Sequence, residues 1–197
     1  MPIRNTTERW GWVSISIHWL TVLMVLSLIV VGLLMQEMAN SPTKIEVYAL
    51  HKSFGLTVLA LTVLRLLWRL VAGTPAAAAG VPRWQQVAAQ ASHGALYVIL
   101  LAMPLSGWLY NSASGFPLKW FGLFGLPKLS GYDPDVKAFA LAMHEWLFIA
   151  LLVIVVVHAA AALKHHHFDR DATLARMLPG LPPPDGAAPK DKDKDTL

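Results

Sequence analysis

The chain has 197 residues, 55% of them hydrophobic and 14% charged, with a formal net charge of +4. This apolar excess excludes an ordinary soluble domain and is typical of a protein with several membrane spans. Cysteine is absent, which excludes disulfides and iron–sulfur clusters, and the basic residues lie beside apolar segments rather than in an exposed stripe, so we expect no nucleic-acid partner.

Four apolar stretches follow one another along the chain, over about residues 13–35, 47–70, 87–110 and 138–163. Each is long enough to cross the hydrocarbon core, which takes roughly 20 apolar residues. We therefore predict an all-α membrane protein, a four-transmembrane-helix up-and-down bundle, forming one domain over residues 1–178. The polar residues 179–197 are predicted to be a disordered tail. The segment 117–127 is too short and too rich in glycine and proline to span, so we expect an interfacial or re-entrant piece.

The distribution of lysine and arginine predicts the orientation of the bundle. With four spans both termini share a side, and outside the tail that side holds eight lysines and arginines against five on the other. The positive-inside rule therefore puts both termini of this multi-pass protein in the cytoplasm. Membrane lipid is the expected surrounding, and the oligomeric state is left open.

Five histidines lie inside the predicted spans: His18, His51, His93, His144 and His158. Because alternate spans run in opposite directions, His18, His93 and His158 fall at the cytoplasmic level, while His51 and His144 fall at the outer level. His144 and His158 are 14 positions apart, so they share a helix face at a separation of about 21 Å. The spacing therefore predicts two sites stacked along the bundle.

Imidazoles on facing helices are how haem sites are built in helical bundles. The pairs that the levels allow are His51 with His144, and His158 with either His18 or His93. Bis-imidazole ligation leaves iron no free position, which favours electron transfer over oxygen binding. A helix–helix hydrogen bond is the alternative for any single histidine, and a bare zinc site is disfavoured because no Cys or Asp joins the spans. A proton or metal transporter with buried histidines is a further alternative.

Two groups outside this constellation leave alternatives open. The run His165–His167 is either a metal patch or a set of interfacial side chains beside Lys164. Four lysines lie on the predicted outer side: Lys52, Lys119, Lys128 and Lys137. They are either an anion funnel or haem-propionate partners, or ordinary loop lysines.

At these residues the sequence resembles the bacterial cytochrome b561 family of four-helix membrane di-haem b cytochromes. The matching pieces are Ser16–Leu20, His51–Gly55, Arg65–Leu70, His93, Met103–Gly107, His144–Glu145 and His158–His166. They occur in order over about residues 10–179, and they are specific as a set rather than singly. The proline-rich charged tail departs from the family pattern.

The resemblance implies a location in the bacterial inner membrane and two b haems. His18 and His158 would ligate the cytoplasmic haem iron, His51 and His144 the outer one, and His93 would line a quinone site. The implied activity is electron transfer between a periplasmic one-electron donor, with superoxide oxidised to O2 in one form of it, and ubiquinone. The chain would then be a superoxide:quinone oxidoreductase. The alternative is an electron-transfer or anchor subunit for a partner dehydrogenase or a soluble cytochrome, without substrate chemistry of its own.

Overall fold

The structure is a computed structural model that describes residues 2–78 and 80–182, and in that part of the chain it contains four long helices and one short hairpin. The helices are α1 (Trp12–Glu37), α2 (Pro42–Ala72), α3 (Arg83–Ala113) and α4 (Pro134–His167). All four are long and apolar enough to cross a membrane, so the predicted all-α, four-helix multi-pass architecture is confirmed. Residues 183–197, most of the tail predicted to be disordered, lie outside the described residues.

Helices α2 and α4 begin before the apolar stretches because capping residues set their first turns. Ser41 accepts a hydrogen bond from the first turn of α2, and Asp133 accepts two from the first turn of α4. Pro42 and Pro134 then occupy the first helical positions, where a missing N–H costs nothing. At the other end of α2, Gly73 adopts a φ of 70° that other residues rarely reach. These helix boundaries are therefore set by capping side chains and a glycine, and not by the length of the apolar stretch.

Consecutive helices pack against each other, α1 on α2, α2 on α3 and α3 on α4. Both described ends of the chain meet the α2–α3 connection at one end of the bundle. Asn5 Nδ2 donates to Gly73 O at 2.7 Å, and an Arg176 guanidinium nitrogen donates to Ala76 O at 2.8 Å. We call this the termini end and the opposite one the hairpin end.

The loop between α3 and α4 contains an antiparallel hairpin of β1 (Leu118–Trp120) and β2 (Phe124–Leu126). The hairpin lies against α2. The Phe121 N–H donates to Ser53 Oγ at 2.9 Å, and Trp120 Nε1 donates to Thr57 Oγ1 at 3.1 Å. Ser53 and Thr57 lie well inside α2, so the segment predicted as interfacial or re-entrant is a hairpin packed beside a spanning helix.

One residue from each helix forms the buried centre of the bundle: Val25, Val58, Ile99 and Leu151. Each lies six or seven positions from a histidine on its own helix, and Leu151 lies midway between His144 and His158. Large apolar side chains such as Leu23 and Val156 stay exposed around the outside. In a membrane protein that exposed surface faces lipid.

Candidate functional site

The histidines occupy two levels, one on each side of the apolar centre. At the hairpin end, His51 of α2 and His144 of α4 have ring centroids 6.5 Å apart and ring planes at 68°. We call this pair the hairpin-side layer. His144 Nδ1 lies 3.1 Å from Met103 O and 3.0 Å from Ser106 Oγ. His51 Nδ1 is buried and has no hydrogen-bond partner among the described residues.

The imidazoles of this layer pack against glycines of the neighbouring helices. A Cβ on Gly32 would lie 3.3 Å from His51 Cε1, and a Cβ on Gly107 would lie 3.4 Å from His144 Cε1. An apolar cavity between the two rings is lined by all four helices, with Gly55 and Phe148 among its walls. The site is therefore an apolar space flanked by the two imidazoles.

At the termini end, three imidazoles come together, and we call them the termini-side layer. The ring centroids of His18 and His158 are 6.4 Å apart, with planes at 64°. His93 lies closer to His158, at 5.3 Å. The Arg65 guanidinium reaches this layer from α2 and donates from a terminal nitrogen to His18 Nδ1 at 3.1 Å.

The centroid distances test whether a metal fits between two rings. An imidazole nitrogen lies about 2 Å from a bound first-row metal and about 1 Å from its own ring centre, so rings on opposite sides of one ion have centroids about 6 Å apart. The separations of 6.5 Å for His51–His144 and 6.4 Å for His18–His158 match that value. The 5.3 Å between His93 and His158 is too short for it. The residues fit two bis-imidazole metal sites, and the geometry favours His18 over His93 as the partner of His158.

The four predicted funnel lysines lie toward the hairpin end. Lys52 Nζ donates to Asn111 Oδ1 at 3.0 Å, and Lys128 Nζ donates to Gly115 O at 3.3 Å. Lys137 lies 5.9 Å from the centroid of the Tyr110 ring, and Lys119 is exposed on β1. Within residues 2–78 and 80–182, the only side-chain ion pairs lie beyond residue 163, so none of the four lysines pairs with a carboxylate there.

The His165–His167 run ends α4 and belongs to an ion-pair cluster at the termini end. His165 Nδ1 lies 2.6 Å from Asp171 Oδ2, and Lys164 Nζ lies 2.6 Å from Asp169 Oδ2. Burial would raise the pKa of Asp171, but hydrogen bonds from Thr173 and His165 outweigh it, so that the pKa is lowered. The ligand atoms of His165, Asp169 and Asp171 lie within 4.8 Å of one another, but Lys164 already neutralises Asp169. We therefore interpret the cluster as ion pairs that hold the C-terminal segment against the end of α4, rather than as a metal site.

Sequence reasoning missed the roles of three residues at the histidine layers. Arg65 enters the resemblance only within a matching segment, although an arginine inside a span is itself a signal of function. Ser106, which is fully buried, and Met103 orient His144. The Pro104 after Met103 was a visible sign of an irregular position in α3, since proline cannot donate a helix hydrogen bond.

Comparison with known proteins gives a consistent result. The family model described as prokaryotic cytochrome b561 matches residues 9–180. Cytochrome b561 homolog 2 of Escherichia coli (strain K12) is 36% identical over 179 residues, which cover 90% of this chain and 95% of that protein. Cytochrome b561 homolog 1 of the same organism is 31% identical over 174 residues, or 87% of this chain and 98% of that protein. The similarity spans all four helices.

Proposed function

The chain belongs to the prokaryotic cytochrome b561 family, and from this premise we propose that it is a di-haem b cytochrome that transfers electrons from superoxide outside a bacterial inner membrane to ubiquinone. Membership makes it a multi-pass membrane cytochrome b involved in electron transfer. The observation that carries the finer proposal is the pair of imidazole separations, 6.5 Å and 6.4 Å, on two levels of the bundle.

In this proposal His51 and His144 would hold one haem iron, and His18 and His158 would hold the other. The haems would supply one-electron transfer, and bis-imidazole ligation would favour it over oxygen binding. Met103 and Ser106 keep the His144 ring in place through Nδ1, and the apolar cluster around Leu151 excludes water between the levels. His93, whose ring lies 5.3 Å from that of His158, is then not an iron ligand and can take another role.

His93 is the proposed quinone contact. It lies on α3 beside His158, and its side chain is exposed on the surface of the bundle. A quinone dissolved in lipid reaches an exposed position of this kind without entering the core. Its carbonyl oxygens accept hydrogen bonds, and a neutral imidazole can donate one.

The lysines of the hairpin end are the proposed attraction for the anionic substrate. Superoxide carries one negative charge, and a cluster of unpaired cations raises its local concentration. Two superoxide ions each lose one electron and leave as O2, while ubiquinone takes up both electrons and two protons to become ubiquinol. The lysine and arginine excess at the termini end supports a cytoplasmic location for that end.

The first experiment counts haem in purified wild-type protein beside three single variants, His144→Ala, His18→Ala and His93→Ala. We expect two b haems per wild-type chain by pyridine haemochrome, one in His144→Ala and in His18→Ala, and two in His93→Ala. A wild-type chain without haem would refute the proposal. Loss of haem in His93→Ala with none lost in His18→Ala would refute the assignment of the termini-side ligands.

The second experiment measures ubiquinol formation by the purified single chain under a steady flux of superoxide. Activity should fall about tenfold between low and physiological ionic strength, because the attraction of lysines for an anion is screened. Lys119→Gln should weaken that dependence, and the matched control is Lys164→Gln at the opposite end. A chain with two haems and no activity would favour the alternative, an electron-transfer subunit that needs a partner protein.

A further inference from the structure

Arg65 carries a positive charge into the spanning part of α2 without an acidic partner. Its guanidinium is half-buried, donates to His18 Nδ1 at 3.1 Å and lies 5.7 Å from the centroid of the Tyr97 ring. Among the described residues, no carboxylate forms an ion pair with it. A cation at membrane depth is costly unless an anion or a polar network compensates it. The position therefore indicates that an anion not supplied by the described chain binds here.

The bond between Arg65 and His18 also has a consequence for the imidazole. A guanidinium has only donors, so His18 Nδ1 must accept, and a neutral ring then carries its hydrogen on Nε2. A metal-bound histidine normally donates from its second nitrogen to an acceptor. Contact with Arg65 and metal binding through Nε2 therefore require opposite tautomers. His144 differs, because the Met103 carbonyl opposite its Nδ1 can only accept.

We propose that Arg65 leaves His18 when the termini-side layer takes its haem, and that the guanidinium then binds a carboxylate of that haem. This inference rests on the proposed function, since it requires a haem at His18 and His158. A haem b carries two carboxylates, and arginine binds a carboxylate through two parallel hydrogen bonds. A lipid phosphate is a second possible source of the anion. Arg69, one turn further on, lines an open groove with Leu66 and Leu70 through which a lipid headgroup could approach.

The first test is a redox titration of the haem-loaded full chain in nanodiscs of phosphatidylcholine. Arg65→Gln should shift the redox equilibrium of one haem about tenfold toward the oxidised form, or about 59 mV for one electron, because a nearby positive charge has been removed. Arg65→Lys should recover most of this shift. The control, Arg69→Gln, removes a charge from the surroundings of the same Tyr97 ring and should shift the equilibrium less than threefold.

The second test compares haem with its dimethyl ester in apoprotein carrying His144→Ala, so that only the termini-side layer is filled. With Arg65 present, the ester should bind about tenfold more weakly than haem, and with Arg65→Gln the two should bind equally. Equal binding with Arg65 present would overturn the inference, and this arm needs no folded Arg65 variant. Wild-type potentials in Arg65→Gln would also overturn it.

The outcomes separate this inference from the proposed function and from the lipid. If the wild-type chain binds two haems and Arg65→Gln leaves both potentials unchanged, only this inference is wrong and the proposed function is unaffected. A wild-type chain without haem removes both. If phosphatidylglycerol in the nanodisc shifts the wild-type potential and Arg65→Gln abolishes that shift, the anion is a lipid phosphate and the inference is wrong.

Discussion

His144 donates a hydrogen bond from Nδ1 to the carbonyl oxygen of Met103, 3.1 Å away across the packed faces of α4 and α3. A carbonyl can only accept, so the lone pair of this imidazole lies on Nε2. The Ser106 hydroxyl donates to the same carbonyl at 2.7 Å and lies 3.0 Å from Nδ1. Among the described residues, the polar contacts that orient this ring are therefore made by α3.

Replacing Ser106 should weaken the hairpin-side site. Ser106→Ala removes one of the two oxygens beside His144 Nδ1, and loss of such an outer partner typically costs about 10–100-fold in metal affinity. We expect about tenfold here, the low end, because the Met103 carbonyl remains. Haem titration of the apoprotein measures it. Ser92→Ala is the control, since that buried hydroxyl has no partner among the described residues, and equal losses in both variants would contradict the role of Ser106.

Adding a methyl group at Gly32 should displace the other ring of the hairpin-side layer. The new Cβ would lie 3.3 Å from His51 Cε1 and 3.9 Å from Nδ1, so the imidazole must move by a few tenths of an ångström. Overpacking of this kind costs about 1 kcal/mol, and haem affinity should fall about fivefold. The electron paramagnetic resonance signal of one ferric haem should also change. Gly94→Ala, with no atom within 4 Å of its new Cβ, should leave the hairpin-side signal unaltered.

Ser53 should hold the hairpin against α2. Its side chain is almost fully buried, accepts from the Phe121 N–H and donates to Ala49 O at 2.8 Å. Ser53→Ala leaves the Phe121 N–H without its acceptor, at a cost of about 1–3 kcal/mol. Amide exchange at Phe121 should accelerate accordingly. Ser27→Ala, which loses only a bond to its own helix, serves as control, and unchanged exchange in Ser53→Ala would show that the hairpin is held elsewhere.

The stability of the C-terminal segment should depend on the ionised form of Asp171. The pKa of Asp171 lies below its ordinary 3.8, so the stabilisation is present above about pH 4 and is lost as pH falls through the lower folded value. Protection of the amides around residues 171–178 should thus be constant from pH 7 to 5. Asp171→Asn should reduce it about tenfold, since a hydrogen bond to a charged group contributes about 1.5–3 kcal/mol. The control is Asp169→Asn, and an equal loss there would contradict the assignment.

The four helices and the levels of the histidines along the bundle could be predicted from the sequence. Apolar length is a local property, and the 14 positions between His144 and His158 translate directly into height along a helix. Direction alternates from span to span, so the levels of His18, His51 and His93 follow as well. Helix geometry and the number of spans are enough to give these levels.

Contacts between side chains of different helices could not be predicted in this way. Both His18 and His93 suit the level of His158, and only the packed bundle separates them, at 6.4 Å and 5.3 Å. The Phe121–Ser53 bond joins residues 68 positions apart, and the bond between Arg65 and His18 joins residues 47 apart. No periodicity encodes such pairs, because they depend on how the helices are rotated about their own axes.

The apolar centre formed by Val25, Val58, Ile99 and Leu151 has a consequence for membrane voltage. These side chains cannot bind or pass a proton, so an electron that moves between the two histidine layers moves without a compensating charge. The layers are about 21 Å apart, roughly two-thirds of a hydrocarbon core of about 30 Å. In the proposed orientation, with the termini in the cytoplasm and the inside negative, inward transfer of one electron against 100 mV then costs about 1.5 kcal/mol, two-thirds of the full value for one charge. An energised membrane should therefore slow the flow of electrons toward the cytoplasm.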